Sequence, residues 1–210
     1  MITTQHVRNP DQTRQILLRA ALEEIHRCGF QAASLNNILA KTGLTKGALY
    51  HHFPDKLSLG YAVVEELIQE HTLDKWVRPL TEFDDPINGM LHTLNEAAKT
   101  LDSCGCISKE LLLGCPLNNL AQEMSPMDEG FRLRLDHVYR LWQQGLNEAL
   151  AKGQQADKVR TDVNPEAAAT FIVAALEGCL GIAKNARDIK LLHRCGEGLI
   201  QYLETLRART

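Results

Sequence analysis

The chain has no extended period-two alternation of apolar and polar residues, so its sequence offers no β-strand. It also has no glycine-rich phosphate loop, no G-x-S-x-G turn and no HExxH motif, which removes several common sequence signatures of an enzyme. Internal repeats and low-complexity segments are absent as well. We therefore predict an all-α protein that is not an enzyme.

Targeting and membrane-spanning patterns are also absent. The first ten residues, MITTQHVRNP, contain no apolar segment of the kind that a secretory signal requires. The most apolar later stretch, AAATFIVAAL (167–176), is followed by Glu177 and is too short to span a bilayer. These features predict a cytoplasmic protein with no membrane partner.

The six cysteines do not have the spacing of a common metal site, because there is no CxxC pair and no HxxxH pair. In a chain without a leader they also do not predict a disulfide scaffold. Most of them are expected to be small buried hydrophobic residues. We predict no cofactor and no bound metal from this pattern.

Charge is distributed unevenly along the chain. Residues 1–60 carry seven Lys and Arg against four Asp and Glu, whereas the remaining residues carry 16 against 22. A basic N-terminal segment on an acidic body favours a polyanionic partner at one end of the molecule.

Apolar residues recur at helical spacing along almost the whole chain. Three helices, the second and third of them short, are predicted within residues 13–54, with breaks at Gly29 and Gly43 and an end at Pro54. About nine helices are predicted in total, in an N-terminal three-helix domain (1–54) and a larger helical domain (55–210). The predicted helices of the second domain cover residues 55–77, 86–101, 128–152, 165–186 and 188–207.

Residues 34–53 have the helix–glycine turn–helix spacing of a helix-turn-helix. Apolar residues would fix its two helices against the first helix, which leaves polar residues on the outer side. These side chains and the glycine suit a helix in a major groove, because they supply phosphate donors, positive charge, close backbone approach and hydrogen-bonding arms. The residues concerned are Thr45, Lys46, Gly47, Tyr50 and His51, with Lys56 as a further cation; His52 has no clear place.

The segment TGLTKGALYHHFPDK (42–56), preceded by SLNNILAK (34–41), resembles the DNA-binding signature of TetR-type transcriptional regulators. The resemblance covers residues 13–60, and beyond them it rests on length and helix order. It implies that the third helix enters the major groove and that Leu39, where many members have Ala, packs slightly differently. The DNA contacts that the resemblance implies are Ser34, Thr45, Lys46, Tyr50, His51 and Lys56.

A homodimer is expected because one such unit reads only a few base pairs. Two units, about 34–36 Å or more apart, would bind a near-palindromic double-stranded operator. The last helix has an a/d-like seam, and the helix before it carries small residues. The same spacing also fits an amphipathic helix packed on its own subunit. The predicted interface residues are Ala174, Gly178, Gly181, Leu192, Gly196, Leu199 and Leu203.

The resemblance also implies a small-molecule effector, which the sequence does not identify. An apolar pocket between the middle helices is the expected site. Its candidate residues are Trp76, Leu91, Leu94, Leu112, Phe131, Val138, Tyr139 and Trp142.

Three alternatives remain open. Some TetR-type regulators with a segment similar to GCPLNNLAQEMS (114–125) respond to oxidants or electrophiles through a cysteine, which makes Cys104, Cys106 and Cys115 candidate redox residues. The same thiols with His71 or His92 could bind Zn or Cu(I). A helical adaptor with a vestigial helix-turn-helix is the third alternative.

Overall fold

The computed structural model describes residues 10–102 and 113–209, and this part of the chain forms nine long or α-type helices and one short 3₁₀ helix, Arg78–Glu82. The predicted all-α class is confirmed, since the described residues show strand-like pairing only at an isolated bridge between Val159 and Arg207. The helices are α1 (Pro10–Cys28), α2 (Leu35–Thr42), α3 (Lys46–His52), α4 (Lys56–Ala62, Val63–Ile68 and Gln69–Trp76), α5 (Pro86–Asp102), α6 (Pro116–Met124), α7 (Glu129–Gln155), α8 (Pro165–Ala186) and α9 (Ile189–Thr205).

Several helices begin at capping side chains that the sequence supplies. The Thr45 hydroxyl accepts a hydrogen bond from the backbone N–H of Ala48 at 3.2 Å, and the Asp128 carboxylate accepts one from Phe131 at 2.8 Å. A cap of this kind stabilises a helix by about 1 kcal/mol. Ser34 occupies the capping position of α2, but its side chain makes no capping hydrogen bond.

The long helix α4 is continuous, and its middle segment, Val63–Ile68, has π-type hydrogen bonding. Val63, Val64 and Ile68 of this segment are buried. The segment packs on α1 on one side and on α7 on the other. Because α4 begins at the N-terminal helices and ends in the larger body, it belongs to the core of both.

One hydrophobic core runs from the N-terminal helices through α4 into the body. Leu17 and Leu18 of α1 lie at one end, and Trp142 and Leu150 of α7 lie at the other. Each large apolar side chain buried in this way contributes roughly 1.5–3 kcal/mol. The core therefore ties the N-terminal helices to the body by packing as well as by chain connection.

A buried carboxylate fixes α2 against α1. Glu24 accepts hydrogen bonds from Arg27 and Asn37, each with a shortest distance of 2.8 Å, and the Lys41 ammonium lies 3.6 Å away. The bonds from Arg27 and then Asn37 lower the pKa of Glu24 to about 2. Glu24 therefore stays ionised at neutral pH, and its bond to Asn37 holds the helix that precedes the turn.

The apolar helix α8 is long enough to cross a membrane by length and composition, with a mean hydropathy of 1.6 over its most apolar window. However, α8 packs between α7 and α9, and it carries the buried carboxyl group of Glu177 on its inner side. A core helix of a globular body meets the same criterion. We therefore interpret α8 as a core helix with one apolar face turned outward.

Candidate nucleic-acid interface

Gly43 forms the turn that joins α2 to α3. Its φ of +65° lies in the left-handed region, which glycine adopts without a Cβ clash, and its N–H bonds to the Leu39 carbonyl at 2.9 Å. Leu49 and Phe53 are buried and anchor α3 to the core. The turn and the inner face of α3 are therefore as the sequence predicts.

The outer face of α3 exposes five residues together: Thr45, Lys46, Gly47, Tyr50 and His51. The Tyr50 side chain is 51% exposed, and an exposed amphipathic aromatic group of this kind is typical of interfaces. A Cβ atom at Gly47 would meet only the Thr45 hydroxyl, at 3.8 Å, so the chain's own packing does not require glycine there. The face thus combines donors, a cation and a position for close backbone approach, which suits contact with a DNA groove.

Ser34 lies beside this face across a cleft of about 170 Å³ between α2 and α3. Lys46 and Tyr50 also line the cleft. Because the Ser34 side chain does not cap α2, its hydroxyl is not used to hold the helix start. The structure therefore brings Ser34 together with the exposed residues of α3.

Lys56 has a different environment from the other predicted DNA contacts. Its ammonium donates to the Gln31 carbonyl at 2.9 Å and lies 4.9 Å from the centre of the Phe30 ring. These contacts hold the start of α4 against the loop between α1 and α2. They do not support the placement of Lys56 on the DNA-binding face.

His52, which the sequence could not place, packs at the base of α3. Its ring lies edge-on to His51 at 5.1 Å and 6.3 Å from the Phe53 ring. Burial, followed by the charges of His51 and Arg14, lowers the pKa of His52. The neutral imidazole is therefore favoured, and His52 acts as a packing residue beneath the exposed face.

Sequence reasoning missed the contact that joins α6 to the N-terminal helices. The two Glu123 carboxylate oxygens accept hydrogen bonds from the backbone N–H groups of Phe30 at 2.8 Å and Gln31 at 2.9 Å. Gly29, with φ of +83°, makes room for this carboxylate, since a Cβ there would lie 2.8 Å from a Glu123 oxygen. The partners are more than ninety residues apart along the chain, so no local pattern could indicate them.

The residues predicted to form the effector pocket do not all lie around one cavity. Trp76 and Leu94 line a cavity of about 240 Å³ between α4, α5, α8 and α9, and Trp76 stacks on the buried Trp142 at 5.6 Å. Phe131 does not line this cavity and packs edge-on to Phe30 and Tyr61, with ring centres 4.6 and 5.0 Å away.

Three further residues of that prediction lie away from this cavity, and one cannot be placed. Val138 is buried in the core, Leu91 is partly buried against it, and the Tyr139 hydroxyl donates to the Asn118 side chain at 3.4 Å. Leu112 lies outside the described residues.

The stripe on α9 faces the body of its own chain. Leu199 and Leu203 are buried, at 5% and 0% exposure, and Leu192, Gly196 and Leu199 line the cavity beside Trp76. This corrects the assignment of Leu199 and Leu203 to a subunit interface. The amphipathic-helix alternative describes this stripe, because its leucines are needed to cover the chain's own core.

The outer face of α8 is exposed. It carries Ala174, Gly178 and Gly181 together with Phe171 and Ile182, which are 52% and 55% exposed. A Cβ atom at either glycine would meet no atom within 4 Å. Apart from the edge-on contact of Phe171 with Tyr202 of α9, the described part of the chain therefore leaves this strip of small and apolar residues uncovered.

The cysteine and metal alternatives gain no support from the described residues. The Cys115 thiol donates to a Glu177 carboxylate oxygen at 3.2 Å, and burial, followed by the Glu177 charge, raises the pKa of Cys115 to about 12. A reactive thiol needs the opposite environment. Cys104 and Cys106 lie outside the described residues, and within the described ranges no three His, Cys, Asp or Glu side chains, including those of His71 and His92, are grouped to hold a metal.

The helix-turn-helix and its exposed helix α3 together define a class of protein. α3 is anchored by Leu49 and Phe53 and leaves one polar, donor-rich face outside. That arrangement is typical of DNA-binding regulators of transcription, which place such a helix in the major groove.

Comparison with known proteins identifies the family. Residues 17–63 match the profile of "Bacterial regulatory proteins, tetR family", and residues 105–199 match that of "Tetracyclin repressor-like, C-terminal domain". The chain belongs to the TetR family and is a DNA-binding transcriptional regulator.

Individual relatives are similar over most of their length. The HTH-type transcriptional repressor DhaR of Mycobacterium sp. (strain GP1) is 23% identical over 83% of this chain and 84% of its own. The HTH-type transcriptional regulator LmrA of Bacillus subtilis (strain 168) is 28% identical over 86% and 92%. A TetR transcriptional regulator from Chloroflexus aurantiacus J-10-FL, of known crystal structure, shares the fold with a TM-score of 0.81 at 23% identity, over 97% of this chain and all of that one.

The contact between Glu123 and the loop after α1 can be tested with Glu123→Gln. An amide has one acceptor oxygen in place of two, so one backbone N–H loses its partner. Because hydrogen bonds to charged groups contribute about 1.5–3 kcal/mol, we expect amide hydrogen exchange at Phe30 or Gln31 to become roughly 10- to 100-fold faster by NMR. Gln122→Ala, an exposed change on the same helix, should leave both rates unchanged. Unchanged exchange in Glu123→Gln would contradict the assigned contact.

Proposed function

We propose that the protein is a cytoplasmic homodimeric repressor that is released from a near-palindromic operator by a small-molecule effector. Residues 1–54 bind DNA in this proposal, and residues 55–210 bind the effector and form the dimer. The observation that carries the proposal is the exposed face of α3, where Lys46, Gly47 and Tyr50 stand together outside a helix anchored by buried residues.

The proposed DNA contacts divide by their chemistry. Thr45 and Lys46 would contact phosphate, and Gly47 would let the backbone approach the DNA. Tyr50 and His51 would reach the base edges, while Ser34 contributes a hydroxyl from the opposite side of the cleft.

The proposed dimer surface is the exposed strip on α8. It contains Ala174, Gly178 and Gly181, with Phe171 and Ile182 beside them. Apolar patches of this kind mark association surfaces on otherwise globular chains. A second copy of the chain is the proposed occupant, because an operator-bound regulator of this kind needs two recognition helices.

The proposed effector site is the cavity of about 240 Å³ beside Trp76. Its sides are largely apolar, with Leu94, Leu176 and Leu192 contributing and Lys75 among the few polar residues. Sites for drug-sized ligands usually span roughly 300–1,000 Å³, so this cavity suits a smaller, mainly apolar molecule. Because Trp76 ends α4, an effector there would act directly on the helix that leads to the DNA-binding unit.

DNA recognition can be tested by selecting binding sites from random duplexes with the purified protein. We expect a near-palindromic sequence to be enriched. Lys46→Ala should weaken binding to all sequences and reduce the slope of log K against log salt by about one, because one phosphate contact is lost. Tyr50→Ala should weaken binding to the selected site by about tenfold or more.

Lys99→Ala is the matched control for DNA binding, since it removes the same charge from an exposed position on α5. Equal effects of Lys46→Ala and Lys99→Ala would contradict the proposed face. Failure to enrich any sequence would favour the adaptor alternative.

The dimer surface can be tested with Gly178→Glu. The added side chain meets no atom of its own chain, so the fold should persist, while a charge in an apolar interface should split the dimer. We expect light scattering at micromolar concentration to change from dimer to monomer. Leu133→Glu adds the same charge at an exposed apolar position on α7 and should stay dimeric. A monomeric wild-type protein would contradict the proposal.

The effector cavity can be tested with nitrobenzene, a small neutral aromatic quencher of tryptophan fluorescence. The chain has two tryptophans, Trp76 at the cavity and Trp142 stacked behind it. We expect saturable quenching in the wild type and its loss in Ala98→Phe, which fills the cavity. Ala32→Phe, at an exposed position, should behave as the wild type. Linear, non-saturating quenching in the wild type would show that the cavity does not bind such molecules.

A further inference from the structure

The helices α8 and α9 form a tight antiparallel pair. The helices are joined by two residues, Arg187 and Asp188, and Arg187 takes a left-handed φ of 51° to close the turn. The Asp188 carboxylate then accepts a hydrogen bond from the backbone N–H of Lys190 at 2.9 Å and starts α9. So short a connection keeps the facing sides of the two helices close along their length.

A ring contact sets which residues face one another in this pair. Phe171 of α8 and Tyr202 of α9 pack edge-on with ring centres 4.7 Å apart. Two helical turns toward the connection correspond to seven or eight residues on each helix, which leads to Cys179 and Cys195. The Cys195 thiol is accordingly close enough to the Cys179 thiol to contribute to raising its pKa.

Both thiols are free and half-buried. We propose that Cys179 and Cys195 form an oxidation site, at which a peroxide joins α8 to α9 through an intrachain disulfide. This pair is distinct from the three cysteines that the sequence singled out. Disulfides require facing residues with Cα atoms about 4.4–6.8 Å apart, which neighbouring positions on closely packed helices can meet with a small adjustment.

The reaction has two balanced steps. The Cys195 sulfur attacks a peroxide oxygen, the O–O bond breaks, and a sulfenic acid and one water or alcohol are formed. The Cys179 sulfur then attacks the sulfenic sulfur, the S–S bond forms, and hydroxide leaves with the Cys179 proton as water. Burial, followed by the neighbouring Cys195, raises the pKa of Cys179, so Cys179 is a poor first nucleophile.

The cysteine pair lies beside the cavity at Trp76, so its oxidation would affect that cavity. Cys179 lines the cavity beside Trp76, and Gly196, the residue after Cys195, lines it from α9. A covalent bond between the two helices would fix the separation of two sides of that cavity. The oxidation site therefore borders the site that we propose for the effector, but it does not depend on effector binding.

Peptide mapping of the full-length protein tests the proposal. Trypsin separates the two cysteines into peptides 161–184 and 195–207. After treatment with hydrogen peroxide and alkylation in denaturant, we expect these two peptides to be linked, with two of the six thiols lost and the chain still monomeric on a non-reducing gel. Cys179→Ser and Cys195→Ser should each abolish the linked species, and Cys28→Ser should retain it.

Three results would overturn the proposal. One is oxidation of either cysteine to a sulfinic acid with no linked peptide in the wild type. Another is a covalent dimer that links two copies of peptide 195–207. The third is a linked peptide that involves a different cysteine. These three results are peptide masses of the oxidised wild-type protein, so they remain decisive even if a serine variant folds poorly. They are also independent of DNA binding.

Discussion

Two hydrogen bonds from the backbone of Phe30 and Gln31 to Glu123 join the DNA-binding helices to the body, in addition to the shared core. They fix the loop between α1 and α2, and the start of α4 is fixed to the same loop by Lys56. The Phe30 ring packs on Phe131 beneath this contact. Since α2 and α3 follow directly from the loop, the Glu123 carboxylate of α6 helps to orient the exposed face of α3.

The other end of α6 is held by α8. Near its start, Cys115 donates to Glu177, and Lys184 donates to Asn119 at 2.9 Å. A nine-residue helix is only about 13 Å long and moves as one piece. A displacement of α8 would therefore reach the Glu123 end of α6 and the loop beyond it. Thermodynamic coupling of this kind acts in both directions, so DNA binding would in turn favour one position of α8.

The sequence predicted the features that are set by nearby residues and missed those set by distant ones. Gly43 and Thr45 determine the turn and the start of α3 through their own backbone and side chain, so the helix-turn-helix could be derived locally. Phe131 and Leu203 were correctly expected to lie on apolar faces. However, periodicity shows that a face is covered and not what covers it, so Leu203 was assigned to a subunit interface although it packs within its own chain.

The corrected position of the α9 stripe changes how the two proposed sites relate. Leu192 and Leu199 line the cavity from α9, and Leu176 lines it from α8, while Gly178 and Ile182 point to the outer side of the same pair. Because side chains in a packed helix pair cannot shift independently, a molecule that separates α8 from α9 also changes the outer surface. A regulator that binds its effector on the inner side of this helix pair and its second subunit on the outer side would need no separate element between them. The pair itself would connect effector binding with the spacing of the two recognition helices.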